Sequence, residues 1–92
     1  MIRMDKPTGR QIAAARALVG MTQPELADRS KVSVPTVKRM EGSAGPAVGM
    51  ANNVDAVCRA LEAAGVIFVD ENGEGPGVRL RKSAAGGIVG NG

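Results

Sequence analysis

The chain has 92 residues and a mass of 9.4 kDa, the size of one small domain, which buries only about 60% of its unfolded surface and gains from pairing with a second copy. Its 43% hydrophobic and 23% charged residues are a globular balance rather than a disordered one, but Phe68 is the only aromatic, so the core is aliphatic and a stacking platform for single-stranded nucleic acid is excluded. With no histidine and a single cysteine, Cys58, the chain offers no histidine base, internal disulfide or cysteine-rich zinc site.

The net charge of +3 is uneven: residues 1–46 carry eight Lys/Arg against four Asp/Glu, residues 47–92 four against five. An anionic partner is therefore expected on the N-terminal half. The start has no apolar leader, and no stretch approaches the roughly 18 apolar residues of a membrane span, so a cytoplasmic protein without membrane association is expected.

Met1 to Pro7 reads as a flexible arm. Thr8, with Gln11 three residues on, is a capping box, in which each side chain satisfies the other's orphan amide. Ile12, Ala15, Leu18 and Val19 follow at helical spacing, and Gly20 supplies a left-handed stop, so the first helix is expected over residues 9–19. Thr22-Gln23-Pro24-Glu25 opens a short second helix in the same way, with Leu26 and Ala27 inward. Ser30 to Ser33 is a turn. Ser33 starts a third helix with Pro35 at its second position, where a missing amide costs little; Val32, Val37 and Met40 form its buried stripe and Gly42 ends it. After a loop from Ser43 to Met50, a fourth helix is expected from Asn52 or Asn53 to Ala64, capped by one of those asparagines, with Val54, Val57, Cys58 and Leu61 on one face and Gly65 as its stop. Cys58 is read as a buried, inert thiol, and the five methionines as core filler.

The texture then changes. Val66 to Val69 is β-branched and aromatic, Asp70 to Gly77 is turn chemistry, and Val78 to Arg81 alternates apolar and charged residues. These form a β-hairpin. Gly73 to Gly77 has no Lys-Ser/Thr after it and no strand-to-helix setting, so it is a turn and not a phosphate loop. The chain is thus expected to be mainly α. A compact four-helix bundle over residues 8–65, containing a helix-turn-helix, precedes a C-terminal hairpin over 66–82 and a disordered glycine-rich tail over 83–92.

Two short capped helices joined by a tight turn leave the outer face of the third helix for solvent, with Val34, Pro35, Lys38 and Arg39 on it and Thr36 at its edge. Such a helix fits the DNA major groove with its N-terminal residues against base edges.

Gly20-Met21-Thr22-Gln23-Pro24-Glu25-Leu26-Ala27, followed by Val32-Ser33-Val34-Pro35-Thr36-Val37-Lys38-Arg39-Met40-Glu41, resembles the Xre family of Cro-like and lambda-repressor-like helix-turn-helix regulators. The resemblance covers residues 9–64. It implies that Gln23 touches the DNA backbone and Ser33 caps the third helix and meets phosphate. It also implies that Val34, Pro35 and Lys38 face bases, that Thr36 and Arg39 meet the backbone, and that Arg16 pairs with Glu41. Lys38 suits guanine acceptors, and Val34 and Pro35 suit a thymine methyl. Lys31 departs from the pattern, because the family usually has glycine in that turn. The turn is therefore expected to be strained or differently built.

The function expected is sequence-specific binding of double-stranded DNA by a bacterial transcription regulator, a repressor acting as a homodimer on an inverted-repeat operator. Its hairpin is expected to supply the dimer contact, and no cofactor is implied. The alternative is a protein-interaction module, an antitoxin or antiactivator, whose main partner is another protein; the acidic balance of residues 47–92 leaves room for that role. An enzyme is not expected, since the chain has no histidine, no nucleophile–base pair and no metal-ligand cluster.

Overall fold

Thr8 and Thr22 each open a helix in the same way. In the computed structural model, which describes residues 7–70, 73 and 75–81, the Thr8 hydroxyl accepts from the Gln11 N–H at 3.0 Å and the Gln11 carboxamide oxygen accepts from the Thr8 N–H at 2.8 Å. Thr22 and Glu25 repeat the exchange at 3.1 and 2.8 Å. These caps start α1 (Gly9–Leu18) and α2 (Gln23–Ser30). Both helices end in the same pair of bonds, Gly20 N–H to Ala17 O with Met21 N–H to Arg16 O, and Lys31 N–H to Asp28 O with Val32 N–H to Ala27 O. That closure needs one left-handed residue. Gly20 supplies it at φ +67° and Lys31 at φ +59°.

Ser33 caps α3 (Val34–Glu41), accepting from the Thr36 N–H at 3.2 Å, with Pro35 in the first turn. The fourth helix, α4, runs from Ala51 to Ala63 and differs from expectation at its start. Met50 is its N-cap, without a side-chain cap, and its carbonyl accepts from the Asn53 and Val54 N–H groups. Asn52 and Asn53 are thus inside the first turn and cap nothing. Gly65 (φ +109°) turns the chain into β1 (Val66–Val69), which pairs antiparallel with β2 (Gly77–Leu80) in the register Val66 to Leu80 through Val69 to Gly77. The described residues are therefore mainly helical, four helices followed by a two-stranded hairpin, as the sequence leads one to expect. The expected arm over residues 1–6, Lys82 of the hairpin and the tail over 83–92 lie outside the described residues. Pro7, read as the end of the arm, is instead fully buried, and its carbonyl accepts from Ala47 N–H.

Every element but β2 gives buried side chains to one core: Ile12 and Ala15 from α1, Leu26 and Ala27 from α2, Val37 and Met40 from α3, Val57, Cys58 and Leu61 from α4, and Val66 and Phe68 from β1, with half-buried Val78 of β2 packed against it. Leu18 does not join it and is 46% exposed. At 100° per residue it falls about 90° round α1 from the stripe that Ile12, Ala15 and Val19 define.

Two contacts fix the layers. Gly9, at the start of α1, abuts the end of α3 so closely that a Cβ there would run into the Met40 and Ser43 carbonyl oxygens. The buried Gln11 carboxamide donates to Val69 O at 3.2 Å and Gly77 O at 2.8 Å, pinning both strands of the hairpin to α1.

Candidate nucleic-acid interface

The turn between α2 and α3 sets the angle at which α3 is displayed. Val37 and Met40 face the core. Pro35, Lys38 and Arg39, at i, i+3 and i+4, are exposed on the opposite side as one stripe. Neither Lys38 nor Arg39 is paired with a carboxylate among the described residues, so both charges are available to an anion. Their place in the last turn of α3 also suits the negative end of the helix dipole.

The other sequence-derived residues are divided. Ser33 is exposed and caps α3 as expected; its hydroxyl also lies 2.7 Å from that of Thr36, which is half-buried. Val34 is half-buried and packs on the core, so only part of its surface remains beside the stripe. Gln23 sits at the first position of α2, half-buried, but its side chain is engaged: Nε2 donates to Glu41 Oε1 at 2.9 Å. Pro24 has no amide and the Glu25 N–H is held by Thr22, so in that turn the Gln23 main-chain N–H is left to meet a phosphate.

Glu41 is the junction of the site. It accepts from Arg16 Nε at 2.8 Å and Arg16 NH2 at 3.1 Å as well as from Gln23, while Arg16 NH1 donates to the Met21 carbonyl at 3.0 Å. One carboxylate, its side chain 7% exposed, thereby joins the end of α1, the start of α2 and the end of α3. Its hydrogen bonds hold the Arg16 guanidinium still more firmly in the charged form. The Arg16–Glu41 pair is implied by the family resemblance, whereas the third arm through Gln23 carries no sequence signal; the resemblance gives Gln23 to the DNA backbone, and the structure turns its side chain to Glu41. Gly9 and the hairpin-binding end of Gln11 carry no local signal either: the capping box already accounts for Gln11, and nothing near Gly9 in the sequence shows that it abuts the end of α3.

Lys31 is the sole non-glycine with positive φ among the described residues, and it is exposed at the entry to α3. The turn is thus built in the ordinary left-handed way, with the strain left in place. Among the described residues no group of acidic or cysteine side chains is arranged to hold a metal ion, and no helix is long and apolar enough to cross a membrane.

No family model matches the chain, and a search of curated proteins finds no match to it. The likeness to helix-turn-helix regulators rests on the motif residues alone.

Proposed function

We propose that this protein is a cytoplasmic, sequence-specific regulator that binds double-stranded DNA as a homodimer, laying α3 in the major groove of each half of an inverted repeat. The observation that carries the reading is the exposed Pro35–Lys38–Arg39 stripe on the second helix of a helix-turn-helix, its two charges unpaired among the described residues. The excess of positive charge in residues 1–46 points the same way. Lys38 donates to guanine O6 or N7, Pro35 and the exposed part of Val34 offer apolar contact to a thymine methyl, and Arg39, Thr36, Ser33 and the Gln23 amide hold phosphates. A reading face with one strong hydrogen-bonding side chain relies partly on the shape and deformability of the duplex. Regulation is steric, because a protein seated on an operator excludes polymerase there.

Lys38→Ala is expected to cost about 1–3 kcal/mol on the preferred site and to relax the preference. Arg39→Ala is expected to weaken all duplexes alike and to lower the salt slope by about one. Fluorescence anisotropy on matched and mismatched duplexes over a salt series separates the two. Equal, sequence-blind losses from both variants contradict the assignment.

A further inference from the structure

The two helices of the helix-turn-helix are joined at both ends. The turn at Lys31 links the end of α2 to the start of α3. At the other end the Gln23 Nε2, from the first residue of α2, donates to Oε1 of Glu41, the last residue of α3, at 2.9 Å. Two helices held only at a turn can swing about it, whereas two held at both ends keep one angle. The acceptor is a strong one. Glu41 is charged, its side chain is 7% exposed, and Arg16 holds it in place with bonds of 2.8 Å to Oε2 and 3.1 Å to Oε1. A phosphate on the second hydrogen of Gln23 Nε2 would stand about 5 Å from that carboxylate oxygen, with like charges facing each other.

What the first turn of α2 still offers an anion is main chain. The Thr22 N–H is held by the Glu25 carboxylate and the Glu25 N–H by the Thr22 hydroxyl, Pro24 has no N–H, and the Leu26 N–H is bonded to Thr22 O. The Gln23 N–H is left, on the same residue whose side chain clasps α3. Lys38 and Arg39 precede Glu41 by three and two residues, so the clasp closes within one turn of the stripe.

We infer that Gln23 is a positioning residue for DNA binding: its side chain stays on Glu41 in the complex and fixes the start of α2, with its main-chain N–H, relative to the Lys38–Arg39 stripe of α3. The inference deepens the DNA reading, on which it rests, and departs from the resemblance, which sends this side chain to the DNA backbone. The contribution of Gln23 to affinity then passes through Glu41, not through a side-chain bond to phosphate.

The test uses the full chain. Gln23→Met keeps the length of the side chain and removes the donor. It is expected to weaken binding to the preferred duplex about tenfold in the otherwise wild-type chain and less than about twofold beside Glu41→Ala, as for two members of one hydrogen-bond network. Each variant is first checked for its helical circular dichroism and urea midpoint. An equal loss in both backgrounds means a side-chain contact to the duplex and overturns the proposal. So does a Gln23→Met chain that has a lower urea midpoint yet binds as tightly as wild type, since the bond then serves stability alone. A second measurement needs no Glu41 variant and decides alone if Glu41→Ala does not fold. Overhauser contacts between the Gln23 side-chain amide and the Glu41 side chain are expected in the free protein and to persist when it is saturated with duplex; their loss on saturation contradicts the clasp. A wild-type chain that binds no duplex fails the DNA reading and this role with it, whereas a bound duplex with either contrary result fails this role alone.

Discussion

Lys31 holds the turn into α3 in a conformation that costs a non-glycine residue about 1–2 kcal/mol. Glycine's greater freedom in the unfolded chain returns part of that. Lys31→Gly is therefore expected to raise stability by about 0.5–1 kcal/mol, read as a higher urea midpoint at constant slope; an unchanged or lower midpoint contradicts a strained turn. Glu25 acts at the other end of α2. The Thr22 N–H donates to its carboxylate, and this bond, followed by the Thr22 hydroxyl, lowers its pKa from the ordinary value of 4.5. A carboxyl held below its unfolded value stabilises the fold above that unfolded value, and the contribution is lost as pH falls through the depressed one. Glu25→Gln keeps a reciprocal cap of the kind Gln11 makes but cannot titrate. The stability advantage of wild type over Glu25→Gln is expected to shrink between about pH 6 and pH 3 in urea titrations; a constant difference removes Glu25 from the acid response.

The three helices around the candidate interface are tied together by one carboxylate. Removing Glu41 leaves the Arg16 guanidinium and the Gln23 amide without their acceptor, so Glu41→Ala is expected to cost about 2–3 kcal/mol. A double-mutant cycle with Arg16→Ala is expected to return a coupling of about 1–2 kcal/mol, and a value near zero contradicts the tie between α1 and α3. The same contrast explains what could be read ahead of the structure. The starts of α1, α2 and α3 were legible because a capping box or a serine–proline start is written within four consecutive residues. The start of α4 was not: Met50 is no N-cap by chemistry, and its carbonyl does the work that an asparagine side chain was expected to do. Leu18 was expected inward because it follows Ile12 and Ala15 in steps of three, yet those steps drift the same way round the helix and carry Leu18 off the buried face. That Pro35, Lys38 and Arg39 are exposed on α3 was legible, since Val37 and Met40 fix which side is inward. Gln11 and Gln23 have distant second partners, Val69, Gly77 and Glu41, that no local spacing encodes.

At the scale of the molecule, charge divides the chain between its two halves. The basic excess lies in residues 1–46, which include α1 to α3, and the hairpin follows from residues with the opposite balance. The two halves are nonetheless mechanically continuous: Gln11 binds the hairpin with one end of its carboxamide and closes the cap of α1 with the other, and Gly9 seats α1 against the end of α3. The direct measurement is selection of bound fragments from random duplex DNA at about 150 mM salt, where non-specific phosphate binding is weakened. The account predicts enrichment of an inverted repeat whose half-sites are about 34 Å apart, one helical turn, and loss of that enrichment in Lys38→Ala. Recovery of unenriched random sequence by the wild-type protein contradicts it.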